Sequence, residues 1–294
     1  MAMRITENMN FDSLAGNVSQ VKSRINGLLE QLATGKKINR PADDPEGIRK
    51  SIGLRFLGAS IDQYQTNIIN GENWLNVTSV NLAGVSELVN EAKGIAQSMD
   101  GAGAAERDVA ARHVQSIIDG MLSLANARHG DRYIFAGTKT NTPPFAGANG
   151  PYQGDSGALT VNIGQNTSAA HNIAGDAVFS PAGGCDIFLT LGNLRTALEN
   201  NDSAALGVAA TDLEQAGRQV ITGISRTGVM LNRLEFARNH LTDLGNKVAD
   251  MMAGLEAVDV AKLAVQLQMQ ELALNASYGA VAKISEQSIL NFLK

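Results

Sequence analysis

Both ends of this 294-residue chain carry apolar residues at alternating steps of three and four, the heptad pattern of helices that pack along a narrow seam. One seam lies near the N-terminus and the other near the C-terminus, and together they contain Leu14, Val18, Val21, Ile25, Leu28, Leu32, Leu263, Leu267, Leu274, Val281 and Ile284. An isolated helix with so narrow an apolar stripe is only marginally stable in water. Each terminal helix therefore needs a partner, either within the chain or in a neighbouring molecule.

Two longer helices are predicted between these ends. Pro45 can occupy the first helical position after Asp44, and the apolar pattern that follows extends to about Met99. A second pattern repeats every seven residues from Leu206 to Leu255, with Thr227 as its only polar member. We therefore predict a mainly α fold, in which N- and C-terminal segments form a long antiparallel coiled-coil helical rod with a small β-rich inserted domain.

The insert is predicted where the composition changes, between residues 132 and 182. This stretch opens with the β-prone residues Tyr133, Ile134 and Phe135, and it holds four of the six prolines. We predict N-terminal helical segments over 1–131, the β-rich insert over 132–182, and C-terminal helical segments over 183–294. The third helix of the N-terminal part is predicted to end with Arg128, His129 and Gly130.

Charge and composition exclude several classes of function. The formal net charge is −5, and the basic residues form no stripe that could neutralise a nucleic-acid backbone. No run of about 18 apolar residues is present, so no membrane-spanning helix is predicted. The first residues lack the apolar core of a signal peptide, so a cleaved Sec signal is not expected.

No catalytic residue, metal site or cofactor is predicted. Asp43 and Asp44 precede Pro45 and suit helix capping better than catalysis, and Cys185 has no His or Asp nearby in sequence to activate it. The Gly101-Ala-Gly103 segment follows a helix rather than a strand, so it is interpreted as a helix connector and not as a phosphate loop. The histidines lack the spacing of metal ligands: His113, His129, His171 and His240.

Four segments of the sequence resemble the flagellar hook-associated protein 3 family. They are MRITENM at 3–9, TGKKINRPADDPEG at 34–47, LANARHGDRYIFAGTKTNTPPF at 124–145 and ISEQSILNFL at 284–293. Flagellins share the connector at 34–47 and the terminal helices. The RYIFAGT block, the Pro144-Phe145 pair, the YQGD segment at 152–155 and the C-terminal ending distinguish the hook-associated family from them.

This resemblance implies a structural subunit that joins the hook to the filament outside the cell. It also implies export by the flagellar type III system and prior binding by an export chaperone. Its implied partners are other copies of the chain, a neighbouring hook-associated protein and filament subunits. The two terminal seams would form the assembly interface, with the insert facing outward.

Three alternatives remain open from the sequence. The chain could be a flagellin that forms the filament itself, a monomeric bundle whose seams pair internally, or a soluble module whose insert binds a glycan or a host protein. Under the assembly hypothesis, residues 8–32 and 262–292 are expected to be weakly ordered in the monomer and to become ordered on assembly.

Overall fold

A computed structural model describes residues 2–148 and 150–292, and it describes side-chain burial for residue 9 and for residues 12–148 and 150–283. The described chain is mainly helical and holds two small antiparallel sheets, which confirms the predicted fold class. In chain order the elements are α1 (Ala2–Thr34), α2 (Pro45–Ser98), α3 (Ala104–Ala125), β1 (Arg128–His129), β2 (Arg132–Tyr133), β3 (Thr160–Gly164), β4 (Thr167–Ala170), α4 (Asp176–Phe179), α5 (Ile187–Glu199), α6 (Ser203–Glu256) and α7 (Val260–Phe292).

The chain divides into two compact units. Unit 1 comprises residues 1–59 and 245–294, and unit 2 comprises residues 60–244. Each of the two longest helices, α2 and α6, contributes residues to both units. The segments predicted from the sequence, 1–131, 132–182 and 183–294, were defined by their secondary structure, whereas these two units are defined by contacts between residues. The predicted division therefore stays a prediction.

In unit 2, α2 and α6 run antiparallel. Glu72 pairs with Arg238 at 2.7 Å, and Lys93 lies 3.9 Å from Glu214. Residues later in α2 therefore contact residues earlier in α6. The predicted seven-residue repeat of α6 is buried here, and Thr227, its only polar member, satisfies its hydroxyl by donating to the Gly223 carbonyl at 3.0 Å. The fully or almost fully buried members of the repeat in this unit are Leu206, Leu213, Val220, Thr227, Leu234 and Leu241.

The third helix ends earlier than predicted. It stops at Ala125, and Arg128–His129 instead forms a two-residue strand paired with Arg132–Tyr133. The Asn126 side chain explains this end, because it donates to the Phe145 carbonyl at 2.8 Å and accepts from the Phe145 amide at 3.0 Å. Arg128, His129 and Gly130 were interpreted as the basic end of a helix, and this was wrong.

The insert contains less strand than its predicted range of 132–182. The β3–β4 hairpin lies within this range, but the β-prone residues Ile134 and Phe135 continue as buried loop. Phe135 packs edge-to-face on Phe179 with ring centroids 5.3 Å apart. Aromatic and aliphatic side chains therefore hold this region together where backbone pairing is sparse.

The RYIFAGT and YQGD segments stabilise one another. Tyr152 donates its hydroxyl to the Phe135 carbonyl at 2.7 Å, and Asp155 accepts from the Thr138 and Gly157 amides at 2.7 and 3.0 Å. Burial is the main cause that raises the pKa of Tyr152 to about 12, so this hydroxyl stays a donor. These segments are thus structural elements of the insert.

Candidate assembly surface at the paired chain ends

The two terminal helices pair with one another in unit 1. Lys22 of α1 places its ammonium 5.6 Å from the ring centre of Tyr278 on α7. A groove of about 300 Å³ lies between the helices, and its lining comprises Arg24, Gly27, Leu28 and Gln31 of α1 and Gln266, Met269 and Gln270 of α7. Early residues of α1 therefore meet late residues of α7, and the pair is antiparallel.

The predicted seam residues face this pairing but are only partly covered by it. On α1, five of them are half-buried and Leu32 is 40% exposed; the five are Leu14, Val18, Val21, Ile25 and Leu28. On α7, Leu263 is buried, and Leu267, Leu274 and Val281 are half-buried. The side chain of Ile284 lies outside the described residues. The two seams thus meet within one chain, as the internal-pairing alternative allows, and leave apolar surface uncovered.

A second apolar stripe on α7 was missed by the sequence analysis. Val265, Met269 and Leu272 follow the same spacing of four and three, and Ala276 and Gly279 extend it. The three large side chains are 51, 64 and 71% exposed. Each lies two positions from a seam residue, which is about 200° around a helix. Val265 and Leu272 of this outer stripe therefore point away from α1, whereas Met269 also lines the edge of the groove beside α1. The heptad spacing of the stripe was the signal that could have revealed it.

The residues considered for catalysis have structural roles. Asp43 accepts from the amides of Asn39 and Arg40 at 3.0 and 2.8 Å, and Asp44 accepts from the Gly47 amide at 2.8 Å. Asp44 therefore caps the start of α2, as predicted, whereas Asp43 instead closes the turn of the connector that precedes the helix.

The single cysteine is buried in unit 2. Its sulfur lies 3.0 Å from the Thr190 hydroxyl, and burial raises the pKa of Cys185 above its usual value. The thiol is thereby held in its protonated and poorly nucleophilic form.

His113, His129 and His171 each contact another side chain. His113 pairs with Glu91 at 2.8 Å, whereas His129 and His171 pack on Trp74. Within residues 2–148 and 150–292, no group of three or more His, Cys, Asp or Glu side chains is arranged to hold a metal ion. None of the described helices is long and apolar enough to cross a membrane.

The chain is similar to flagellar proteins along nearly its full length. Residues 5–140 match the model of the bacterial flagellin N-terminal helical region. Flagellar hook-associated protein 3 of Salmonella typhimurium is 28% identical over 98% of this chain and 98% of that relative. The protein of the same name from Escherichia coli is 27% identical over 90% of this chain and 92% of that relative.

A solved structure shares the fold. The crystal structure of the flagellar junction protein FlgL from Legionella pneumophila is 15% identical and matches with a TM-score of 0.57. The match covers 72% of this chain and 100% of that one. At this level of identity the likeness concerns the fold alone.

Proposed function

We propose that this chain, like the hook-associated protein 3 relatives that it matches along nearly its full length, is a structural subunit joining the hook to the filament of a bacterial flagellum. The flagellin alternative is not favoured, because the curated relatives that match along nearly the whole chain are named hook-associated protein 3. We propose a purely structural, non-catalytic role.

The outer stripe of α7 is the observation that supports assembly most strongly. Its three large side chains are more than half exposed on a helix whose opposite face is already occupied by α1. Covering the exposed fractions of these side chains would contribute about 3 to 6 kcal/mol, given the usual 1.5 to 3 kcal/mol for a fully buried large apolar side chain. Contiguous exposed apolar surface of this kind typically marks a protein–protein contact.

The proposed partners follow from this surface and from the family resemblance. Each α1–α7 pair would pack against terminal helices of other copies, of a neighbouring hook-associated protein and of filament subunits. The half-buried seam residues would become fully buried in the same step. Before assembly, an export chaperone would cover these helices, and the chain would leave the cell by the flagellar type III route without a cleaved signal.

Replacement of Leu272 by Asp tests this proposal. It places a charge on the outer stripe while leaving the α1–α7 seam intact, so we expect hooks without filaments and filament protein in the medium. Electron microscopy of a complemented deletion strain measures the fraction of hooks that carry filaments. Ala264→Asp is the matched control, because Ala264 is also exposed on α7 and lies about 100° around the helix from both the seam residue Leu263 and the outer-stripe residue Val265. Wild-type filament attachment with Leu272→Asp would refute the proposal.

A further inference from the structure

A buried carboxylate lies where the two connectors of unit 1 meet. Connector 35–44 joins α1 to α2, and connector 257–259 joins α6 to α7. Glu256, the last residue of α6, has a side chain that is only 8% exposed, and its Oε2 lies 2.7 Å from the Lys36 ammonium. Its Oε1 accepts from the Arg55 guanidinium at 2.7 Å and also from the Ser51 hydroxyl. We call Glu256, Lys36, Ser51 and Arg55 the Glu256 cluster.

The backbone on either side of this cluster is paired as well. The Lys37 amide donates to the Glu256 carbonyl at 2.8 Å, and the Val258 amide donates to the Gly35 carbonyl at 3.2 Å. Lys36 and Ala257 thus form an isolated antiparallel bridge between the connectors. Two backbone hydrogen bonds alone provide little net stability, on the order of 1 kcal/mol each.

The rest of connector 35–44 is organised locally. Asp43 closes its turn through the amides of Asn39 and Arg40, and the Arg40 side chain reaches Glu30 of α1 at 2.8 Å. These contacts lie within connector 35–44 or join it to α1. None of them reaches α6 or α7, so they cannot by themselves hold the two connectors together.

The charges of the cluster explain why the carboxylate tolerates burial. Lys36 and Arg55 have side chains that are 46 and 54% exposed, so each cation keeps part of its hydration while it pairs with the covered anion. A buried carboxylate is stable only when its oxygens are paired and hydrogen-bonded. Here the partners come from two places, connector 35–44 (Lys36) and the first turns of α2 (Ser51 and Arg55), while the carboxylate itself stands at the end of α6.

We propose that Glu256 is the positioning residue that holds the two connectors of unit 1 together. It thereby sets where α1 ends and where α7 begins relative to the first turns of α2. Without its negative charge, Lys36 and Arg55 would turn to solvent, and the connector bridge would open while the core of unit 2 stays folded. This role concerns the isolated chain and does not depend on the proposed assembly.

Glu256→Gln tests the proposal because it keeps the shape of the side chain and removes its charge. We expect hydrogen exchange at the Lys37 and Val258 amides to accelerate about tenfold or more, since opening of the bridge exposes both. Trypsin cleavage after Lys36 and Lys37 should accelerate in parallel. Exchange in α3 of unit 2 should not change.

Glu46→Gln is the matched control for this experiment. Glu46 forms an i,i+4 pair with Lys50 at 2.7 Å, but both side chains are mostly exposed, so its loss should leave the connector amides unchanged. Ser51→Ala removes one donor without touching a charge and should give a smaller acceleration in the same amides, even if Glu256→Gln fails to fold. Unchanged exchange at Lys37 and Val258 in a folded Glu256→Gln protein, or in Ser51→Ala, would overturn the proposal.

Discussion

Among single residues, Glu256 makes the stability of unit 1 depend on pH. Hydrogen bonds from Lys36, then Ser51 and Arg55, lower the pKa of Glu256 from 4.5 to about 2. Because the folded pKa lies below the unfolded one, the stabilisation is fully present above pH 4.5 and is lost as the pH falls through about 2.

The free energy of unfolding should therefore differ most between wild type and Glu256→Gln above pH 4.5, and the difference should shrink towards pH 2. Urea denaturation followed by circular dichroism at pH 6 and at pH 3 measures it. Glu46→Gln again serves as the control, and its free energy of unfolding should differ little from that of the wild type at either pH. A difference between wild type and Glu256→Gln that stays the same at both values would contradict the pairing described here.

Residue roles were predictable where their cause is local in sequence. Asp44 caps the Gly47 amide three positions on, so its place before Pro45 was sufficient to predict capping, whereas Asp43, for which capping was also predicted, closes the preceding turn instead. The Glu256 cluster was not predictable, because Glu256 lies 205 residues from Ser51 and 201 from Arg55. Only the fold brings these groups together.

At the scale of elements, helices with long regular repeats were predicted well and short elements were not. The repeat of α6 from Leu206 onward corresponds to one helix, Ser203–Glu256, because a heptad pattern over many turns has few alternatives. The end of α3 was misplaced by a few residues, because it depends on Asn126 bonding to Phe145, 19 residues away. For α7 only the seam repeat was considered in the sequence, so the second repeat, which forms the outer stripe, was missed.

The partial burial of the α1–α7 seam leads to a prediction about local stability. Amides in residues 12–32 and 262–283 should exchange at least about 100-fold faster than those of α3, whose apolar face is buried at Val114, Ile117 and Met121. Hydrogen exchange with mass spectrometry on the monomer measures this, and α3 is the internal reference. Equal protection of α1, α7 and α3 would mean that the chain ends need no neighbour.

For the whole molecule, the different roles proposed for the two units follow from where apolar side chains are buried and where they are exposed. Unit 2 contains a closed core of helices and insert, with many side chains fully buried. In unit 1 the paired chain ends bury one face of each helix and expose the outer stripe of α7. The sequence predicted seams at both ends, but periodicity cannot distinguish pairing within a chain from pairing between chains.

Site-specific photo-crosslinking in assembled flagella tests the central claim most directly. Benzoyl-phenylalanine at position 272 lies on the outer stripe, and the same group at position 267 faces α1 within the chain. Our account predicts adducts between subunits from position 272 and mainly α1–α7 adducts within one chain from position 267. Adducts between subunits from 267 but not from 272 would contradict it.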